Sequence, residues 1–558
     1  MMESSAAVSA SAGSRTCPQT RGGMPLVGLM ILIAFCVRAA YATAPHVCFG
    51  DEACYLWLAK NLFSGVGYTY YNGQPDFHFP PLFPVVLGAL NWLVGDWETV
   101  SRVAYVIFGS LLPLPVYLLG RDMYSPRIGV VAGFMAAAFP AYTTGILFAE
   151  TLSEPLYLLC LFTGIYFAYR ASRCERIAPA AGAGGLLGLA QLTRSESQVY
   201  LFIALVFLAG AVYFRGRPRW SRGAAQLAVV VGTFLLAVFP YAIYLHHHLG
   251  SWRIDAKSTT SYTTTRGLVT HNGTVFQRDT WGLNSAGEVL YFADTSDRSL
   301  PELLVTEYRG RVLSDVKANA KNLWNSFQKP SVCGRWMLLL AVGGFAANRV
   351  LRRRPSGDVL NALVMASLAP VLIFFVVDRL TYGALLAVIL WGACGIDLLL
   401  HLIETLGARA GGRLAGTRVA LQGIVIALVL SYFARSGYRY FQKSLPDQDE
   451  VWACAEWLEK NTPPDAVVMT VNFEVSFHAG RGWLPVPVAD TGSVLDYGRK
   501  RGATHLCLRG RYLDRRPDQR RELYEQAATT ADLELLVKSG ENKGEPVFVV
   551  YRLKPRSS

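Results

Sequence analysis

The residues best suited to chemistry are acids near the ends of apolar blocks. Gly50-Asp51-Glu52 follows the first such block, and Glu150 and Glu154 lie four apart in Phe148-Ala149-Glu150-Thr151-Leu152-Ser153-Glu154-Pro155. A carboxylate beside lipid is costly unless it faces water, a cation or a partner. Four apart on a helix, Glu150 and Glu154 share a face and repel unless a proton, a cation or an arginine compensates. Acids so placed can serve as a general base or orient hydroxyl groups. Taken singly, Asp51-Glu52 also fits a solvated loop, and Glu154 fits a cap on the helix entered at Pro155. The second acidic pair favours a site.

Cations are expected at the same level. Arg194 and Glu196 lie in the polar tip Thr193-Arg194-Ser195-Glu196-Ser197, and Arg379 and Tyr382 lie in Asp378-Arg379-Leu380-Thr381-Tyr382. Arginine suits bidentate phosphate contact, although either arginine would also serve as a snorkelling anchor. Lys321 is a further phosphate candidate, on a segment where Leu313, Val316, Ala320, Leu323 and Phe327 recur at helical spacing. His78 precedes Pro80-Pro81, and His246, His247 and His248 run together. Three successive histidines cannot converge on one ion from a helix, so a metal site would need one of them and distant ligands. The sequence leaves a divalent metal open, its ligands unknown, and makes no cofactor certain. The ten cysteines contain no CxxC pair. Cys48 with Cys54, or Cys454 with Cys507, would form a disulfide outside the cell; unpaired, each acts as a small hydrophobe.

These residues need elements to position them. The 558-residue chain is 52% hydrophobic, and its apolar residues come in blocks long enough to cross lipid, such as Met24 to Ala44, Ala224 to Leu245 and Val359 to Val377. Nearly all of the net charge of +13 resides in the N-terminal tail and the short links Arg121 to Arg127, Arg170 to Arg176, Arg215 to Arg222, Arg349 to Asp358 and Asp397 to Arg418, which hold eighteen arginines against six acids. A cytoplasmic bias of short-loop arginine explains this charge without nucleic acid. If every basic link is cytoplasmic, an even number of crossings separates any two of them. Ile177 to Leu192 and Gln198 to Phe214 then form a hairpin with Arg194 at its outer tip. Only one of Pro80 to Gly95 and Val103 to Gly120 spans, which leaves the Pro80-Pro81 stretch in the outer interface.

The expected architecture is a polytopic α-helical membrane protein of about eleven transmembrane helices with a C-terminal extracytoplasmic α/β domain. Residues 1–24 form a cytoplasmic tail. Residues 25–440 form the membrane domain, with outer loops over 45–102 and 246–334, and 445–558 form the soluble domain. There Glu450 to Lys460 and Gln519 to Ala528 read as helices, and Ala466 to Val471, Ala503 to Leu508 and Pro546 to Arg552 as strands. The charge run Arg509 to Arg521 reads as a solvated face.

The combination resembles the C-superfamily of membrane glycosyltransferases (GT-C), in particular the bacterial branch related to protein O-mannosyltransferases and lipid A aminoarabinose transferases. The likeness rests on Asp51-Glu52 with Tyr55 and Ala59, Gly65-Val66-Gly67-Tyr68, His78-Phe79-Pro80-Pro81-Leu82, Glu150 to Pro155, and Gly188-Leu189-Ala190 with Leu192-Thr193-Arg194. It covers about the first 250 residues well and the remainder by topology. The resemblance implies a sugar donor on polyprenyl phosphate and a lipid, glycan or protein acceptor, at the outer side of the plasma (inner) membrane. It also implies an inverting displacement in which Asp51 is the base, with Glu154 at the family's second acidic position, where many relatives carry Asp. Arg379 with Tyr382 only approximates the family's Arg-Tyr, and His78 stands where relatives carry an acid or Lys. Glu52 and Glu154 would orient hydroxyls, and Arg194, with Arg379 or Lys321, would hold the phosphate. Membrane-edge burial is expected to raise the Asp51 pKa moderately. The rival reading is a polytopic transporter or lipid flippase, for which Arg38 in the first helix is the main sign. An envelope scaffold whose membrane part has lost activity is a third, which the intact acidic pairs disfavour.

Overall fold

A computed structural model describes residues 24–44, 48, 50–70, 73–147, 152–174, 176–215, 220–258, 266–293, 305, 309–352, 355–409, 415–444, 449–471, 473–542 and 545–555. Most of the described chain before residue 445 is helical. Five helical stretches there are long and apolar enough to cross a membrane: Met24–Ala42, Trp97–Met123, Ser197–Phe214, Trp220–Leu249 and Leu385–Thr405. Four more apolar stretches, Leu82–Val94, Pro126–Ala138, Ile177–Gln191 and Gly357–Ile373, are shorter. At 1.5 Å per residue, Leu82–Val94 reaches about 20 Å, short of the ~30 Å hydrocarbon core. Trp97–Met123 is divided at Leu112-Pro113 into Trp97–Leu111 and Pro113–Met123.

The polar pairs separate the two ends of this bundle. At one end the arginine-rich links bind one another: Asp122 pairs with Arg121 and Arg170, Arg127 pairs with Asp397 and Glu404, and Tyr124 donates to Asp358. At the other end Asp51 meets Arg379, Glu154 meets Arg194, and Asp378 meets Lys329.

Close packing sets the hairpin that carries Arg194. Ile177–Gln191 lies against Trp220–Leu249 so tightly that a β-carbon at Gly184 would stand 2.1 Å from the Val230 carbonyl oxygen, and one at Gly188 2.6 Å from the Ala237 side chain. Small residues let helix backbones approach in this way.

Arg38 is wholly buried in the first helix, where its two terminal nitrogens donate to the carbonyls of Ala34, Ala137 and Tyr142. It thereby satisfies carbonyls where the helix Pro126–Ala138 stops. A guanidinium so engaged pins the bundle, and the sign that favoured a transporter has a structural account.

After the thirty-residue helix Ala415–Ser444 comes an α/β unit. Its sheet runs in the order Gly482–Pro485, Val467–Thr470, His505–Arg509, Phe548–Leu553, Leu533–Lys538, the first three strands parallel and the last two antiparallel to their neighbours. Helices Asp449–Asn461 and Thr491–Lys500 precede its first and third strands in chain order. The sequence missed the strands Gly482–Pro485 and Leu533–Lys538 and the helix Thr491–Lys500. The expected helix Gln519 to Ala528 is a short turn, Pro517–Gln519, running into a wider-wound segment, Arg520–Glu525. The Sγ atoms of Cys454 and Cys507 lie 2.8 Å apart, whereas Cys48 Sγ faces the Glu98 carbonyl.

The Arg509 to Arg521 run is not a uniformly solvated face. Arg509 is buried in an ion pair with Glu474, and Arg516 is buried with Nε donating to Gln277 and Nη1 to the Val486 carbonyl. Gln277 belongs to the helix Gly273–Trp281. A basic run at a domain junction thus supplies anchors where periodicity alone suggested solvent.

Candidate active site

Gly50 adopts φ 60°, a conformation that costs glycine least, and the turn sets Asp51 as the first residue of the helix Asp51–Phe63. A carboxylate there also meets the positive end of the helix. Arg379 Nη1 donates to Asp51 Oδ2 at 3.1 Å, and each side chain is 28% exposed. Glu52, one step further round the helix, faces elsewhere: it is buried and accepts from Ser101 Oγ at 2.5 Å. Successive helical residues point about 100° apart, so the expected Asp51-Glu52 pair does not act as two acids in one chamber. Glu52 instead braces the helix against Trp97–Leu111.

Glu154 opens the helix Glu154–Arg173 and is buried. Arg194 Nη1 donates to it at 2.8 Å, while Arg194 Nη2 and Nε donate to the two oxygens of Glu196 at 2.9 and 3.3 Å. Arg194 therefore joins two carboxylates, and Tyr157 lies under its guanidinium at 5.9 Å. Its hairpin tip is fixed by Ser195, whose hydroxyl donates to Asp255 at 2.6 Å. Asp255 also accepts from the backbone N–H of Lys257 and Ser258, and this turn carries Lys257 into the site.

Two cavities meet at the Asp51–Arg379 pair. One, of about 350 Å³, is lined by Asp51, Arg194, Lys257 and Arg379 together with apolar groups such as Tyr157, Val199, Val371, Phe374 and Phe375. The other, of about 650 Å³, shares Asp51 and Arg379 and adds Gly145, Gly267, His271, Lys329, Tyr382, Tyr440 and Arg515. The first suits an amphiphile with an anionic head and the second a more polar partner.

The first cavity is lined by three cations, Arg194, Lys257 and Arg379, and two acids, Asp51 and Glu196, while Arg194 also holds the buried Glu154. Burial pushes the Asp51 carboxyl up, but Arg379, Lys257 and Arg194 together outweigh it and hold the group below its ordinary value. Membrane-edge burial alone would raise the value; the convergence of three cations, invisible in the sequence, reverses the direction. Glu196 is likewise held down, burial being outweighed chiefly by Arg194. Burial lowers the Arg379 value, and Asp51 more than restores it.

The remaining candidates fall in different places. Tyr382 is buried and lines only the wider cavity. His78 lies apart from both, 3.5 Å from Asp76 and stacked on Tyr291 at 4.6 Å, in a separate hollow of about 520 Å³. Lys321 is exposed on the helix Arg309–Gln328 and lines none of these cavities. Glu150 lies outside the described residues. Lys257 was not anticipated from the sequence, where its only signal is the turn-forming pair Asp255 and Ser258 on either side of it. Among the described residues no three His, Cys, Asp or Glu side chains form a metal-binding cluster. Asp51 is matched to a guanidinium, and both nearby glutamates to another, so this donor set does not fit a divalent cation.

Residues 78–244 match the protein-family model "Dolichyl-phosphate-mannose-protein mannosyltransferase", a span containing His78, Glu154, Arg194 and Glu196. The structure resembles ArnT from Cupriavidus metallidurans in the apo state, with TM-score 0.57 and 13% identity over 95% of this chain and 98% of that one. The chain has a GT-C-like fold, and the family match spans less than a third of its length. The chain is also similar to ArnT bound to undecaprenyl phosphate, with TM-score 0.55, 14% identity and the same coverage. The archaeal oligosaccharyltransferase AglB from Archaeoglobus fulgidus, in complex with an inhibitory peptide and a dolichol-phosphate, matches with TM-score 0.56 and 16% identity over 87% of this chain and 69% of that one. At such identities the structural likeness speaks for the fold. No curated protein matches in sequence.

Proposed function

We propose that the protein transfers a sugar, a hexose or pentose, from a polyprenyl-phosphate donor to a hydroxyl of an envelope acceptor, with inversion. The cavities then lie on the extracytoplasmic side of the plasma membrane. The observation that carries this reading is the shared wall: Asp51 and Arg379 face both an apolar, cation-rimmed cavity and a wider polar one. A lipid phosphate would occupy the first and the acceptor the second.

As the acceptor oxygen bonds to the anomeric carbon, Asp51 takes its proton and the bond from that carbon to the phosphate oxygen breaks, its electron pair leaving with polyprenyl phosphate. Lys257 and Arg379 are placed to stabilise the leaving group. Arg194, already engaged by Glu154 and Glu196, acts mainly as their organiser, which revises the phosphate-holding role expected for it. Donor binding also prepares the base. A phosphate beside Arg379 and Lys257 offsets their charge, so the Asp51 carboxyl returns toward its ordinary value and becomes more basic when substrate is bound.

The test uses Asp51→Asn at wild-type membrane levels with a panel of labelled polyprenyl-phosphate sugars. Loss of a general base predicts a fall of about 10²–10⁴ in release of polyprenyl phosphate. Near-normal release would end the assignment of Asp51, and a wild type inactive on every donor would count against the transferase reading itself.

A further inference from the structure

The wider cavity contains a cation that the proposed mechanism does not use. Arg379 is paired with Asp51, and Lys329 is paired with Asp378 through both carboxylate oxygens. His271 Nε2 is bonded to the Asn322 side chain at 2.9 Å. Arg515, from the C-terminal α/β unit, also lines this cavity, and among the described residues no carboxylate lies within ion-pair distance of it. Its side chain rests on Gly273, where an added β-carbon would meet Arg515 Cδ at 2.6 Å and Nε at 2.7 Å. Gly273 begins the nine-residue helix Gly273–Trp281, the end at which a second positive charge is disfavoured. The fold holds the guanidinium there all the same. Arg516, next in sequence, is buried and bound to Gln277 and the Val486 carbonyl, so the backbone presenting Arg515 is anchored on both sides of the domain junction.

Resting on the transferase reading, we infer that Arg515 is an acceptor-selecting residue: the C-terminal domain places a guanidinium in the acceptor cavity to hold an anionic group, phosphate or carboxylate, of the acceptor. Guanidinium presents parallel donors that match either group bidentately. Its counter-charge is supplied when the acceptor arrives, because Asp51 and Asp378 are already matched. The C-terminal domain then selects substrate, and Gly273 is the position that gives its arginine room.

The experiment has two arms on the full-length protein in lipid nanodiscs. In the first, Arg515 is footprinted with an arginine-selective dicarbonyl and read by mass spectrometry, in sodium phosphate, sodium acetate or sodium chloride at equal ionic strength. Protection of Arg515 by several-fold in phosphate or acetate, with exposed Arg278 unaffected, is expected. The better-protecting anion distinguishes a phosphate-bearing acceptor from a carboxylate-bearing one. Equal labelling in all three salts overturns the proposal. In the second arm, transfer from a labelled polyprenyl-phosphate sugar into membranes lacking the protein, and so retaining native acceptor, is followed for wild type, Arg515→Gln and Arg515→Lys. A rise of about ten- to hundredfold in the acceptor concentration needed for half-maximal rate is expected for Arg515→Gln, the range for losing a charge-assisted hydrogen bond, with partial rescue by Arg515→Lys. An unchanged acceptor dependence overturns the selecting role. A wild type protected at Arg515 that transfers no sugar overturns the transferase reading and the acceptor role with it, while leaving the anion site standing.

Discussion

Removing the Asp51–Arg379 contact tests whether the pair works as a unit. Arg379→Gln deletes a charge-assisted hydrogen bond of 3.1 Å between side chains that are each 28% exposed. Bonds to charged groups contribute about 1.5–3 kcal/mol, and this exposure puts the pair near the lower figure. About 1.5 kcal/mol corresponds to roughly a tenfold loss from misplacing the base. Loss of leaving-group stabilisation adds a further factor of about 10²–10³. The two contributions separate in a double-mutant cycle of Asp51→Asn, Arg379→Gln and the double variant, scored by labelled polyprenyl phosphate released in proteoliposomes. With Asp51 gone there is no base to position, so the double variant should fall short of the multiplied single losses by about tenfold. Effects that multiply to within about twofold would refute the claim that Arg379 positions Asp51.

Because Asp51 is held below its ordinary value, free-enzyme activity should stay level as pH falls through the usual carboxylate range and drop only below it; in Lys257→Gln the acid limb of kcat/KM should move to higher pH. The same depressed value means that the stability contributed by Asp51 is present above the ordinary carboxylate pKa and lost as pH falls through the lower folded value, which thermal unfolding against pH would show. Glu474→Ala leaves Arg509 buried without its 2.8 Å partner and should destabilise the C-terminal domain by about 3–5 kcal/mol, seen as a lower Tm of the full chain in detergent. Alkylation of native membranes followed by mass spectrometry should find Cys454 and Cys507 joined, since their sulfurs adjoin and the proposed compartment is oxidising; two separately alkylated thiols would contradict this.

The apolar helices were legible because lipid demands long apolar segments, and five of the described helical stretches meet that demand. Asp51, Glu154 and Arg194 were legible because charged groups beside lipid need a reason. Glu52 was misassigned because adjacency in sequence is not adjacency on a helix, and its partner Ser101 lies on another element. Lys257 and Arg515 were overlooked for another reason. Each sits in a polar segment, where a charge needs no explanation until the fold brings distant elements together. The lowered Asp51 value belongs to the same class, since it depends on three cations from three parts of the chain.

The partner of Asp51 lies 328 residues further along the polypeptide. During synthesis the carboxylate emerges early and its guanidinium arrives only after most of the bundle has been made. Until then the half-built protein has Arg194 and Lys257 near this acid but lacks the guanidinium bonded to it. The Asp51–Arg379 pair therefore closes late in biogenesis, when the later segments dock.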